Sequence, residues 1–284
     1  MARSLDLVRL GALMQRTSGD QRIAVGLIDG PVDVAQPDLD TTGLHSLAGD
    51  GGCRYAGSAA CVHGTFVAGI LHARRGSAAP AVCPGSRLLI RPIFTENHEP
   101  GFPTCEPQDL ADAILDCVEA GARLLNLSVG LLHAKPAALR LLAGALDVSA
   151  RRGVLVVAAS GNQGAVGASA LARHPAVLPV AASTAGGALA SMSNLGHSVG
   201  RRGLAAPGED VESLAPGGAT RRFSGTSAAT PFVTGTAALL WSLYPQAPMA
   251  RIRHSLLFAA KAMRRSIAPP LLDAQASWDF LQTV

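Results

Sequence analysis

Four short segments carry side chains that can do covalent chemistry together, in the order carboxylate, imidazole, carboxamide, hydroxyl. They are residues 23–33 (IAVGLIDGPVD), 63–70 (HGTFVAGI), 156–164 (VVAASGNQG) and 223–231 (FSGTSAATP). A serine hydroxyl is a weak nucleophile until a base removes its proton. A neutral imidazole, with a pKa of about 6.5, can take that proton and return it to a leaving amine. A carboxylate can hold the imidazole in the required tautomer, and an amide N–H can meet the charge that develops on a carbonyl oxygen under attack. Together these groups satisfy the requirements of acyl transfer through a covalent intermediate.

Ser227 is the expected nucleophile. It follows the flexible Gly225 and opens a predicted helix, where free backbone N–H groups and the positive end of the dipole favour a developing anion. Pro231, four residues on, cannot donate the helical hydrogen bond to the Ser227 carbonyl, so the first turn should be distorted. His63 is the expected base, at a helix start where Gly64 lets backbone pass close and an apolar helix face anchors the ring. The other histidines (His45, His72, His98, His133, His174, His197 and His254) lack such a setting and read as surface or packing residues. Asp29 is the expected orienting carboxylate, because it alone follows an unbroken apolar strand. Asp33, Asp38 and Asp40 lie in turn-like sequence beside Pro31 and Pro37 and read as turn formers or solvated charges. Asn162, flanked by Gly161 and Gly164, is the expected oxyanion donor together with the Ser227 backbone N–H.

Groups so distant in sequence need elements that bring them to one edge. Runs rich in Val, Ile, Leu and Ala at 23–28, 86–94, 123–129, 153–159 and 176–183 read as strands, and 65–73, 110–121 and 137–152 read as helices. Near-continuous apolar strands separated by helices predict an α/β fold with a parallel sheet covered on both faces. Two long helices should follow Ser227, over 229–244 and 249–263, and Pro269 and Pro270 break the chain before a last segment at 271–281. In open sheets of this kind, chemistry collects at the carboxyl ends of the strands. Both Asp29 and Asn162 follow such ends.

A chain of 284 residues suits one large domain, and its 48% hydrophobic content excludes a disordered chain. The net charge is +4, and every cation except Lys135 and Lys261 is an arginine. The arginines are scattered in pairs such as Arg74-Arg75 and Arg221-Arg222, which does not suggest a nucleic-acid track. No apolar run is long enough to span a bilayer, so no membrane partner is expected. Asp6 and Arg9 argue against an export signal in residues 1–20, which read as a short helix or strap ahead of a domain over 21–284. The expected compartment is the cytoplasm, where the five cysteines are reduced by default. If two of them pair, Cys83 with Cys105 is the candidate. There is no CxxC spacing and no DxDxDG loop, so no metal or other cofactor is expected. Nothing in the sequence sets the oligomeric state.

The phrases IDGPVD, HGTFVAGI, AASGNQG and GTSAATP, in this order and spacing, resemble those of the subtilisin-like (S8) serine peptidases over residues 20–260 or so. The resemblance implies a three-layer α/β/α fold, a mostly parallel central sheet, a triad of Ser227, His63 and Asp29, and a peptide substrate. It also implies that LLNLSVG is the strand that pairs with the substrate backbone, so that Ser128, Val129 and Gly130 line the primary specificity cleft and Ala159, Ser160 and Gly161 form its opposite wall. Phe66 stands where many members carry a second histidine, a departure that leaves the triad intact.

DGPVD, CPGSRLLIRPIFTEN and CEPQDLADAILDCVEAGARLLNLSVG further resemble the PatA-type proteases of cyanobactin and related modified-peptide pathways, which remove a leader from a ribosomally made precursor. The implied function is a serine endopeptidase of that kind. PatG-type macrocyclases insert a helical element between the Asp and His motifs. Residues 30–62 leave little room for one, so hydrolysis is expected over cyclisation. Fewer than the roughly 40 residues needed for independent folding precede Asp29, so no folded inhibitory prodomain is expected there. Nor is the additional C-terminal region of some PatA-type proteins expected after this domain. Control would then rest on substrate choice, with remote contacts aligning the scissile bond and loop 94–108 shaping recognition. The alternatives are a general intracellular subtilisin-like protease and a dormant peptide-binding fold. The intact set of four residues argues against dormancy.

Overall fold

Strand β1 (Ala24–Asp29) is buried along its whole length, with Val25 and Leu27 in the core on one side and Ala24 and Ile28 in the core on the other. Such a strand has to lie inside a sheet covered on both faces. The computed structural model describes residues 1–47, 49, 52–96, 105–129, 131, 135–167, 169–259 and 267–283. Among them, β1 is joined by β2 (Leu44–Ser46), β3 (Arg87–Pro92), β4 (Leu124–Leu127), β5 (Leu155–Ala159), β6 (Val177–Ser183) and β7 (Leu204–Pro207). All pair in parallel, in the order β2-β3-β1-β4-β5-β6-β7. Ile28 sits beside Leu127 and Leu127 beside Ala158, so the carboxyl ends of β1, β4 and β5 are neighbours at one edge.

Helices complete the three layers. The chain opens with α1 (Ala2–Leu7) and α2 (Gly11–Arg16), then gives α3 (Ala59–His72), α4 (Pro107–Glu119), α5 (Pro136–Arg151), α6 (Ala170–Arg173), α7 (His197–Arg202), α8 (Thr226–Leu243), α9 (Met249–Ala259) and α10 (Ala274–Gln282). Helices α3 and α8 supply Phe66, Ile70, Phe232 and Trp241 to one core, and α4 and α5 supply Leu110, Ile114, Leu142 and Leu146 to the other. Both α3 and α8 are buried nearly all round, as central helices are. Residues 1–20 pack on the α3–α8 core through Leu5, Val8, Leu10 and Leu13. The Arg75 guanidinium holds this segment down by donating to the carbonyls of Met14, Thr17 and Val82.

An antiparallel ribbon, β8 (Val211–Leu214) and β9 (Thr220–Phe223), is not anticipated in the sequence, because VESL and TRRF are short and carry charge. Its turn is pinned to the segment after β1. Gln36 Nε2 donates to the Ala215 and Ala219 carbonyls, each at 3.0 Å, and the Gly217 N–H donates to Asp33 Oδ2 at 2.8 Å. Asp33 therefore ties two segments together in addition to accepting from the Ala35 N–H at 3.1 Å as a turn former.

Three expectations need correction or a boundary. His63 is not at a helix start: α3 begins at Ala59, capped by Ser58, which places His63 in the second turn. The expected helix over 249–263 is α9 as far as Ala259, with residues 260–266 outside the described residues. Residues 97–104 of loop 94–108, and with them His98, also lie outside, as does His133.

The cysteine pairing is also different. Cys53 and Cys61 form a disulfide, while Cys83 and Cys105 are free. Cys83 is buried in the α3–α8 core and Cys105 packs against the α4–α5 core, so the sheet separates them. Burial pushes the Cys83 thiol up to about 12. The bonded segment is tied down a second time by Glu96, which accepts from the Arg54 and Tyr55 N–H groups at 2.9 and 3.0 Å and from the Ser58 hydroxyl at 3.2 Å. Closing so short a loop is worth about 2–3 kcal/mol. Cys53→Ser is therefore expected to lower the urea-unfolding free energy by about that amount, and the difference should vanish when both proteins are unfolded in reductant. Among the described residues no helix is long and apolar enough to cross a membrane.

Candidate active site

β1 ends on Asp29, whose side chain is wholly buried. Its Oδ1 accepts from the Gly30 N–H at 2.6 Å and faces His63 Nδ1 at 2.6 Å. The fixed backbone donor aims the carboxylate before the imidazole meets it. With the Nδ1 proton directed at Asp29, Nε2 keeps the open lone pair that a base needs. Phe94 stands edge-on to the imidazole with ring centroids 6.3 Å apart. Burial disfavours the imidazolium, but the charge and hydrogen bond of Asp29 outweigh it and hold His63 above its ordinary value of 6.5. Helix α3 comes this close to the strand end because residue 64 is glycine. A Cβ there would collide with the carbonyl oxygens of Gly30 and Pro31.

Ser227 is the second residue of α8, which Gly225 precedes as N-cap. It lines one small cavity together with His63 and Asn162, walled by Phe66 and Phe223. The Ser227 hydroxyl donates a long bond to the Ser128 carbonyl at 3.4 Å, and no hydrogen bond joins it to His63. A nucleophile–base contact commonly tightens only once substrate is bound. Asn162 Oδ1 accepts from the Thr226 backbone N–H at 2.8 Å and from its hydroxyl at 2.9 Å. A backbone N–H can meet only an acceptor, so the carboxamide oxygen must face Thr226 and the NH₂ is left to donate on the side of Gly225.

The distortion expected from Pro231 has a specific remedy. The Ser227 carbonyl, without its helical donor, accepts from the Ser128 hydroxyl at 3.2 Å. Ser128 Oγ accepts in turn from Asn126 Nδ2 at 3.0 Å, and Asn126 Oδ1 from the Thr234 hydroxyl at 2.8 Å. A buried chain of hydrogen bonds thus runs from α8 through β4 back to the first turn of α8. Asn126, Thr226 and Thr234 are missed by sequence reasoning. One signal was present: Asn126 is the only polar side chain in the buried strand LLNL, and an amide there must have partners.

The expected cleft walls lie where β4 and β5 run out. Ser128 and Val129 continue β4, Ala159 ends β5, and Ser160 and Gly161 follow it, all but Gly161 nearly fully buried. Gly130 lies outside the described residues. Gly161 has φ +106°, and a Cβ there would strike the Asn194 amide. Asn194 Oδ1 accepts from the N–H groups of Gln163 and Ala165 at 3.1 and 3.0 Å, which shapes the turn carrying Asn162. No local signal marks Asn194 for that task, because its partners are some 30 residues away.

Known proteins share this fold. The Subtilase family model (Peptidase_S8) matches residues 20–278. Subtilisin of Bacillus pumilus is 28% identical over 277 residues, covering 95% of this chain and 96% of the relative. Among solved structures, a mutant of the protease domain of PatA superposes with a TM-score of 0.83 at 34% identity, covering 93% of this chain and 97% of that one. The prenylagaramide maturation protease PagA superposes with a TM-score of 0.83 at 31% identity, covering 96% of this chain and 98% of that one. With the family's pattern running through nearly the whole chain and its fold reproduced, the protein belongs to the subtilase family and is a subtilisin-like serine peptidase.

Proposed function

We propose that the chain is an endopeptidase that hydrolyses peptide bonds through an acyl-enzyme and removes the leader from a ribosomally made precursor peptide. Ser227 attacks the scissile carbonyl while His63 Nε2 takes its proton and then delivers it to the leaving amine. Asp29 holds the imidazole tautomer and the imidazolium that forms. Asn162 Nδ2 and the Ser227 backbone N–H receive the oxyanion. Water follows the same route in reverse, with His63 again the base, and frees the acyl half. The observation that carries this reading is the 2.6 Å Asp29–His63 pair bordering the cavity that Ser227 and Asn162 share.

Leader removal is supported by the similarity to PatA and PagA, both named as maturation proteases. Hydrolysis is supported by the stretch between β1 and α3, where the described residues form only the three-residue β2 and no helix that could shield an acyl-enzyme from water. A cytoplasmic setting belongs to the same reading, and there the Cys53–Cys61 bond would face a reducing environment.

Mass-spectrometric digestion of a diverse peptide library by the wild type and by Ser227→Ala tests the proposal. A few defined cuts, absent in the variant, are expected. Broad, degenerate cutting would favour a general intracellular protease, and no cutting without fluorophosphonate labelling of Ser227 would leave a peptide-binding fold. Asn162→Ala is expected to lower kcat by about 10²–10³ with KM little changed, because the oxyanion exists only along the reaction path.

A further inference from the structure

We infer that the cleft reads a carboxylate on the leaving-group side of the scissile bond, and that Arg221 on β9 is the residue that reads it. The inference rests on the endopeptidase reading and adds a substrate class: peptides with Asp or Glu at the first or second residue beyond the cut.

Chemistry fixes which side this is. The imidazole that protonates the departing amine must stand on the leaving-group side of Ser227. His63 shares its cavity with Phe66, almost one turn farther along α3, and with Phe223 at the end of β9. Phe66 and Phe223 meet edge to face with centroids 4.7 Å apart. Arg221 lies two residues before Phe223, hence on the same face of the ribbon and about 7 Å along it. Its guanidinium carbon sits over the Phe223 ring, 5.5 Å from the centroid.

The neighbouring arginine shows the contrast. Arg222 faces the other way and is neutralised by Asp210 at 2.7 Å and Glu212 at 3.8 Å. Arg221 has no carboxylate within ion-pair distance among the described residues. Its cross-strand neighbour is Ser213, whose hydroxyl is committed to the Phe66 carbonyl at 2.8 Å. The ribbon is held at its turn by Gln36 and Asp33 and along β8 by that Ser213 bond. A guanidinium placed over an aromatic face can offer its N–H groups to a planar carboxylate, and a fixed scaffold reduces the ordering needed to form that contact. An extended substrate advances about 3.3 Å per residue, so the ring meets the first residue past the bond and the guanidinium reaches the first or second.

The test uses fluorogenic peptides that differ only by Glu, Gln or Lys at each of the first two leaving-group positions, with amidated C-termini. The wild type is expected to show kcat/KM about 10-fold higher for a carboxylate than for its neutral counterpart, an advantage that shrinks as salt rises. The advantage should approach parity in Arg221→Gln and return in part in Arg221→Lys. Fluorescence anisotropy of the labelled Glu and Gln peptides with Ser227→Ala should give the same ranking without any chemistry. Equal values for the carboxylate and neutral peptides, or a preference that survives Arg221→Gln, would overturn the inference. Fluorophosphonate labelling of the wild type without a carboxylate preference removes only the Arg221 assignment, whereas absence of labelling removes the endopeptidase reading itself.

Discussion

Replacing Ser227 by Ala is expected to lower kcat by about 10⁶-fold, and adding His63→Ala to that variant should change almost nothing further. The reason is that the proposed mechanism makes the two side chains one unit. Without the hydroxyl the base has no proton to take, and without the base the hydroxyl is not a nucleophile. A residual acceleration of about 10³–10⁴ over water should persist in both variants, supplied by Asn162, the Ser227 backbone N–H and peptide binding. The order of substitution matters for the fold. Ser227→Ala removes only the long bond to the Ser128 carbonyl and leaves the Ser128–Ser227 carbonyl bond in place. His63→Ala instead leaves the buried Asp29 carboxylate with the Gly30 N–H alone. An uncompensated buried charge destabilises by about 3–5 kcal/mol, so a lower melting temperature should appear in the His63 variants and not in Ser227→Ala. Single-turnover assays on one fluorogenic peptide, with melting curves alongside, would check both. Losses that multiply between the two positions would mean that the residues do not work as a pair.

Asp29→Asn is expected to lower kcat by about 10⁴-fold near neutral pH while the protein stays folded. An amide at this place can present N–H to Nδ1, which turns the ring into the tautomer whose Nε2 carries the proton and cannot accept one from Ser227. The pH profile adds a second, independent signature. In the wild type His63 must be neutral to act as base, and Asp29 holds its pKa above 6.5, so activity should fall as pH drops through that raised value. In Asp29→Asn only burial remains, and burial lowers an imidazole pKa, so the acid limb of kcat/KM should move to lower pH. Stability follows the opposite sign. Because the folded pKa of His63 lies above the unfolded value near 6.5, its stabilising contribution is fully present below the unfolded value. That contribution is lost as pH rises through the folded value. The pair therefore stabilises most where the enzyme works least, and Asp29→Asn should reverse this slope. An acid limb that does not move would assign it to another group.

Ser227, His63, Asp29 and Asn162 stood out as candidates because each is a particular residue type within a short local pattern, and the fold brings His63, Asn162 and Ser227 to one cavity with Asp29 against His63. The parallel sheet was legible too, since strands such as β1 and β5 read as unbroken apolar runs. Pro231 even announced a carbonyl without a donor, although nothing local said that Ser128 would satisfy it. Other features depended on partners far away in sequence. Arg221 and Arg222 are identical neighbours in the chain, yet the pleat sets one over Phe223 at the cleft and the other against Asp210 and Glu212. Cys83 with Cys105 was the expected pair, but the sheet lies between them and Cys53 is bonded to Cys61 instead.

The sequence by itself determined which side chains could carry acyl transfer and which strands would end beneath them, because local hydrophobic patterning and the chemistry of each side chain are properties of short segments. Only the tertiary structure decided how those groups are aimed. Aim is set by contacts such as Gly64 against Gly30, Thr226 against Asn162 and Thr234 against Asn126, and these form only when distant segments pack.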